Sequence, residues 1–306
     1  MEEKNSKTNK PVIVTHTGTF HTDDCFAVAT LLLHLKKEAQ EVEIVRSRNP
    51  KDWERGEYVV DVGDVYDEKK NRFDHHQKGG AGRRENEIPF AAFGLVWKKF
   101  GREICGGSIE VAQRIDLELV APFDAHDNGV ALSKPIFPDI NSYSLHQFVL
   151  MSNPTWKEES DTAFAKFEET VRLCKKILSR AVKFLQDEME GEKRVLEDYR
   201  KSEDKRIVVL EKEYFWQEVL SKLPEPLFVV YHRADGTYGV KAVRDSLAQF
   251  VSRKDMPEAW AGKRNEELAK ATGVADAIFC HNNRFLVVAK SKEGAIELAK
   301  RAILSL

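Results

Sequence analysis

The sequence predicts an α/β protein: a parallel-sheet domain over residues 11–160, a long helical connector over 161–204 and a smaller α+β domain over 205–306. Three observations carry this reading. In the first half, short apolar runs alternate with helix-length ones, the pattern of a mainly parallel sheet with helices on its faces. A charged stretch over about residues 163–200 then repeats its apolar positions near helical spacing. Beyond residue 205 five short β-like runs return, with helical segments between them.

Residues 11–15 (PVIVT) read as a buried strand, and 25–37 (CFAVATLLLHLKK) as a helix. Asp23 and Asp24 fall in that helix's first turn, where the dipole favours carboxylates. Residues 42–47 (VEIVRS) and 57–63 (EYVVDVG) are further strands; 90–101 (FAAFGLVWKKFG) reads as a helix closed by Gly101, and 110–123 as another. In the connector, Phe164, Phe167, Val171, Leu173, Ile177, Leu178, Val182 and Leu185 form an apolar stripe. The stripe is not a strict heptad, which favours a single amphipathic helix over the seam of a homodimer. RIVVLEK, PLFVVYH, YGVKAV, AIFCH and RFLVVAK supply the strands of the last domain, with helices at 266–272 and 293–304.

A 42% hydrophobic and 32% charged composition fits a folded core rather than a disordered chain. The net charge of -2 excludes the global basic field of a dedicated duplex-DNA binder, though not a local basic groove. Cys25, Cys105, Cys174 and Cys280 are scattered with no C-x-x-C pair, so buried thiols in a reducing compartment are expected rather than a zinc site or disulfides. No apolar run approaches the ~20 residues of a membrane span, and MEEKNSKTNK is unlike a signal or transit peptide. A cytoplasmic protein with no membrane partner is expected.

Four stretches of the first half are rich in metal-type ligands. THTGTFHTDDCFA offers His16, His21, Asp23 and Asp24; VVDVGDVYD ends an apolar strand at Asp61; RFDHHQKGG gives Asp74, His75 and His76; PFDAHDNGV gives Asp124, His126 and Asp127. The first three fall where strands give way to loops, the edge at which open α/β sheets build sites. Each alone has a plain structural reading. Asp23 and Asp24 can simply favour a helix N-terminus, and Asp127-Asn128-Gly129 is a turn signature. Together they suit two divalent cations ~3.5–4 Å apart, the arrangement that activates a water and clamps phosphoryl oxygens. Mixed imidazole and carboxylate donors suit manganese, with magnesium, cobalt or iron as alternatives, and the lack of cysteine ligands argues against structural zinc.

The order H-T-D-D, a strand-end Asp, D-H-H and a further Asp resembles the DHH phosphoesterase superfamily. THTGTFHTDD, DVGDVYDEKKNRFDHHQKG, FGLVWKKFG, DNGV, the tract R-x-x-x-P-E-x-W-x-G-x-R from Arg253 to Arg264 and FCHNNRF resemble its Myg-type branch, the family of the melanocyte-proliferating-gene product, over roughly residues 11–306. The resemblance implies a DHH-type catalytic domain and a manganese-activated 3'-5' exonuclease acting on RNA. It implies His21, Asp23, Asp61, Asp74 or His75, and Asp127 as ligands, with His16 less regularly spaced, and His76 beside the scissile phosphate as donor or acid. Where the family has F-H-C-D-E this chain has Phe20-His21-Thr22-Asp23-Asp24; the shorter arm of Asp24 assigns it a supporting place behind the ligands. The family's usual residue near His126 is apolar; an extra ligand, a proton relay or no role are the readings for His126, and no role is favoured.

For substrate, the loop Gly79-Gly80-Ala81-Gly82 could bring Arg83 and Arg84 to a phosphate. In the last domain Arg253, Arg264 and neighbouring cations, with Trp260 and Phe285 as stacking faces, would suit single-stranded RNA or an oligonucleotide, and His281 could cap its end. Three functions follow: an exonuclease or oligonucleotide phosphodiesterase, a hydrolase of the same fold for pyrophosphate or a small nucleotide, and a non-catalytic metal-binding protein. The intact donor set disfavours the third.

Overall fold

The computed structural model describes residues 10–140, 142–159, 161–246 and 248–305. It has the mixed α/β character expected, with a parallel-rich sheet, a second sheet and one long helix, and it divides into two compact units, one up to Gln186 and one from Asp187.

In the first unit, β1 (Val12–Thr15) leads into α1 (Thr22–Leu35), then β2 (Glu43–Arg46), α2 (Pro50–Arg55), β3 (Tyr58–Val60), β4 (Tyr66–Asp67) and β5 (Arg72–Phe73). The sheet order is β2-β1-β3-β5-β4; the first four run parallel and β4 alone is antiparallel. Ile13 and Val14 lie opposite Ile44 and Val45 on one side and Tyr58 and Val59 on the other. Strands covered on both faces read as continuous apolar runs, which is why these three were legible. β4 and β5 have two residues each, too few to show any alternation.

Helices follow: α3 (Ala92–Ile104), α4 (Ile109–Ile115), α5 (Ala121–Asp127), α6 (Leu145–Met151) and α7 (Thr162–Lys201). Residues 22–32 of α1 are all buried, and Phe26 meets Phe93 of α3 at 5.2 Å and Phe123 of α5 at 5.0 Å. A fully buried phenylalanine such as Phe26 or Phe93 contributes about 1.5–3 kcal/mol. The opposite face of the sheet packs Val14, Val59 and Val62 against Trp53 of α2. α4 and α5 are joined without a break by a π-helical turn, Asp116–Val120, so helix runs through Asp127 rather than stopping near residue 123. In α7, Phe167, Val171, Cys174, Leu178, Val182 and Leu185 are buried, so most of the predicted stripe is covered. All four cysteine thiols are buried and unbridged.

The second unit holds β6 (Ile207–Val209), α8 (Gln217–Ser221), β7 (Phe228–His232), β8 (Tyr238–Ala242), α9 (Asn265–Thr272), β9 (Ala277–Cys280), β10 (Leu286–Ala289) and α10 (Lys292–Leu304). Its sheet runs β6-β7-β8-β10-β9, antiparallel except for the β6–β7 pair. The core joins Phe228, Val230, Met256 and Leu298, and Trp260 lies inside it at 4% exposure. This corrects the expectation that Trp260 offers a stacking face, because its ring is part of the core. No helix among the described residues is long and apolar enough to cross a membrane.

Candidate metal centre

Because β1, β3 and β5 are parallel neighbours, the residues just past their carboxyl ends are brought side by side: His16, Asp61 and Asp74. The loop after β1 is held by Arg46, which donates to the carbonyls of His16 (3.2 Å) and Gly18 (2.7 Å). Asn153 fixes the end of the loop by exchanging two 2.9 Å hydrogen bonds with the backbone of Phe20.

His16 Nδ1 lies 3.1 Å from the Thr17 carbonyl. A carbonyl only accepts, so Nδ1 carries the proton and Nε2 is the free face. That nitrogen is 3.3 Å from both Asp24 Oδ2 and Asp61 Oδ2. A lone pair and two carboxylate oxygens converge only around positive charge, supplied by a second ring proton or by a metal cation. Burial alone would lower the His16 pKa; the nearby carboxylates of Asp24 and Asp61 outweigh it and lift it from 6.5 to about 10. With His21, these residues form a group whose donor atoms lie within 4.8 Å of one another.

Asp61 has a second set of neighbours. Its Oδ1 is 3.5 Å from His75 Nε2 and 3.6 Å from His76 Nδ1. His75 Nε2 is also 3.1 Å from Asp127 Oδ2 at the end of α5. Two more groups of donor atoms result, Asp61/His75/His76 and Asp23/His75/Asp127, each within the same 4.8 Å span. Asp61 thus presents one oxygen to His16 and the other to His75. It does so from a left-handed backbone (φ 54°), a conformation Asp tolerates better than most residues. Burial raises the Asp61 pKa, but His16 and His75 win and hold it well below the usual carboxylate range. For His75, Asp127 and Asp61 overcome burial and lift its pKa to about 11.

The fit to a cation is tested by what these atoms lack. Asp24 Oδ2, Asp61 Oδ1 and His75 Nε2 are buried and have no hydrogen-bond partner among the described residues. A buried, unsatisfied polar atom costs free energy, and three within these adjoining groups call for charged ligands. Their donor types, carboxylate oxygen and imidazole nitrogen, suit a divalent metal.

The other predicted residues take different places. Asp23 is fully buried, and its two oxygens accept from Phe93 (2.7 Å) and Ala92 (2.9 Å), the first N–H groups of α3. Burial and the charges of Asp61, Asp127 and Asp124 push its pKa well up. Asp24 instead gives one oxygen to the His21 and Cys25 N–H groups (2.7 and 3.0 Å) and turns the other toward His16. Adjacent helical residues point about 100° apart, so Asp23 anchors α3 beside the His75 group while Asp24 faces His16. The sequence set Asp24 behind the ligands; the structure places it among the metal-type donors. Asp74 is buried and belongs to none of the three groups. Its Oδ1 accepts from His76 Nδ1 (2.7 Å) and from the N–H groups of His75 and His76, and its Oδ2 from Asp64 N–H (2.6 Å). Asp74 therefore orients the half-exposed His76.

Arg84 is engaged by other partners. Its guanidinium is bidentate to Asp116 (2.7 and 2.8 Å), 2.8 Å from buried Asp124 and stacked on Phe90. It ties the segment before α3, the π-helical turn and α5 together and leaves no donor fork for a phosphate. Arg83 is exposed and donates to the Glu87 carbonyl. In the second unit, Arg253 is engaged by Asp245 and by carbonyls of Leu220, Ser221, Leu223 and Pro226. Arg264 lies over the Phe279 ring, and His281 Nδ1 accepts from Asn283 N–H.

A cleft of about 330 Å³ opens over the cluster, lined by His16, His21, Arg48, Asp61, His76, His126, Asp127 and His146. Arg48 and His146 lie outside every recognisable motif, so nothing in the sequence marked them.

The family model described as Uncharacterised protein family (UPF0160), MYG1 exonuclease type, matches residues 12–303. This chain belongs to the MYG1 family. A MYG1 protein of Saccharomyces cerevisiae is 32% identical over 98% of this chain and 97% of its own length. The human MYG1 exonuclease is 28% identical over 96% of this chain and 86% of its own, and the mouse MYG1 exonuclease 29% over 98% and 87%. The MYG1-type match therefore spans both units and the whole of the His/Asp cluster.

Proposed function

We propose that this chain is a divalent-metal phosphodiesterase of the DHH type, a 3'-5' exonuclease acting on single-stranded RNA or short oligonucleotides. The observation that carries the hydrolytic reading is Asp61, whose two oxygens face two different imidazole–carboxylate groups. The exonuclease names of the mammalian relatives support a nuclease, and the motif resemblance supports RNA and the 3'-5' direction.

In this reading His16, His21 and Asp24 would hold one cation, His75, Asp127 and Asp23 the other, and Asp61 both. Two bound cations, manganese by the donor types, would lower the pKa of a water and neutralise the phosphoryl oxygens. The remaining work falls to the side chains. Asp74 accepts a hydrogen bond from His76 Nδ1–H, which leaves Nε2 as the face His76 offers to the cleft. The same hydrogen bond raises the His76 pKa, which favours the imidazolium form that would give its Nε2 proton to the leaving oxygen. Asp23, by capping α3, fixes the start of α1 against that helix and keeps both groups in register.

The test offers the purified chain, with manganese and then with EDTA, 5'-labelled single-stranded RNA, single-stranded DNA, a dinucleotide and pyrophosphate. Metal-dependent shortening of RNA from its 3' end, lost in Asp61→Ala, is expected. Cleavage of pyrophosphate without shortening of RNA would replace this reading with a small-substrate phosphohydrolase, and no turnover on any substrate would remove it.

A further inference from the structure

The cleft is lined by two chemically different sets of residues. One is the His/Asp cluster. The other is Arg48, His126 and His146, which the hydrolytic reading does not use. Arg48 is exposed at the cleft and makes no hydrogen bond or ion pair with any described residue. The rings of His126 and His146 lie 3.5 Å apart, on the last turn of α5 and the first turn of α6. His146 is steadied by Thr22 Oγ1 at 3.1 Å from its Nδ1. α6 is in turn capped at Ser144 and lashed to Phe20 through Asn153. A guanidinium and two imidazoles are thus presented from three separate elements around one opening, with His146 held by Thr22 and packed against His126. An unpaired guanidinium beside imidazole donors matches a tetrahedral oxyanion, which Arg can grip with two parallel hydrogen bonds.

We propose that Arg48, His126 and His146 form a phosphate-binding subsite beside the metal centre, which holds the phosphate next to the scissile one on a nucleotide chain. The proposal rests on the phosphodiesterase reading and narrows it: preferred substrates carry at least two consecutive phosphates. Arg48 is the principal anchor, since it is the only permanent cation among the cleft-lining residues.

Two measurements on the full chain test it. In the first, inorganic phosphate is titrated into EDTA-treated protein while the imidazole signals of His126 and His146 are followed by NMR. Both signals are expected to move, with affinity weakened about tenfold or more in Arg48→Gln and less in Arg48→Lys. Signals that stay still, or binding equal in Arg48→Gln at an unchanged melting temperature, overturn the subsite. In the second, a dinucleotide with and without a 5'-phosphate is cleaved in manganese. The phosphorylated form is expected to be preferred about tenfold in kcat/KM, and the preference to fall in Arg48→Gln and His146→Ala. Equal cleavage of the two forms rules out the neighbouring phosphate as the ligand. Because the phosphate titration needs no turnover, absence of all cleavage would sink the hydrolytic reading and leave the binding result to be judged alone.

Discussion

Asp74 Oδ1 lies 2.7 Å from His76 Nδ1, and the same oxygen takes the backbone N–H groups of His75 and His76. One carboxylate thus sets both the tautomer and the direction of the imidazole that faces the cleft. Asp74→Asn keeps the shape but turns an acceptor of three donors into an amide. It is expected to lower kcat by about 10²-fold, the usual scale of a misplaced proton donor, while KM changes little. Steady-state rates set against metal content decide it: if the metals are lost along with the rate, Asp74 is a ligand and not a positioning residue.

Asp61 is shared between the groups, and its loss should be felt by both. Asp61→Ala is predicted to reduce bound manganese from about two per chain toward zero, measured by elemental analysis after gel filtration. In contrast, Asp127→Ala, which touches only the His75 side, should retain about one. Equal stoichiometry in the two variants would contradict a shared Asp61.

Metal binding should release protons. Asp24 and Asp61 lift His16 to about 10, and Asp127, Asp61 and Asp23 lift His75 to about 11, so both rings hold an extra proton at neutral pH in the metal-free chain. A cation must displace those protons, and a raised pKa means that this competition weakens as pH rises. Apparent affinity is therefore expected to climb by about one decade per pH unit for each proton displaced, between about pH 6 and 9. Calorimetry in buffers of different protonation enthalpy measures the release directly; affinity independent of pH would remove the prediction.

Gly94 of α3 donates its N–H to Asp124 Oδ1 at 3.0 Å. A Cβ there would lie 1.8 Å from Asp124 Oδ2 and 2.7 Å from Arg84 Nη2. Gly94→Ala is predicted to destabilise the chain by about 1–3 kcal/mol through overpacking. Arg84→Ala, which leaves the fully buried Asp124 without its cation, should cost about 3–5 kcal/mol. Urea denaturation measures both, and a neutral Arg84→Ala would return Arg84 to the candidates for phosphate binding.

The sheet strands and the long helix were legible because each carries its own period: Ile13–Val14 and Val229–Val230 are β-branched runs, and Phe167, Val171, Cys174 and Leu178 repeat along one face of α7. His16, Asp61 and Asp74 were legible as a cluster because parallel neighbouring strands must end on the same edge. The division of labour between Asp23 and Asp24 was not. Both are acids in the first turn of one helix, and only the position of α3 decides which of them caps it. Trp260 and Arg253 looked like ligand-facing residues because composition records a ring or a charge but not what covers it. Arg48 and His146 carried no signal, since they meet at the cleft only through the loop after β2 and the placement of α6.

The π-helical turn Asp116–Val120 has a consequence for how this centre can change. A turn of this kind holds one residue more than the helix on either side needs, so it fixes the rotational phase of everything after it. Asp124 faces Gly94 and Arg84, while Asp127 faces His75. Loss of a single residue within the turn would swing both acids by about 100° around the helix axis with no other letter of the sequence altered. The angular setting of one arm of the centre is thus held by chain length rather than by side-chain chemistry, and a comparison of composition alone would pass over it.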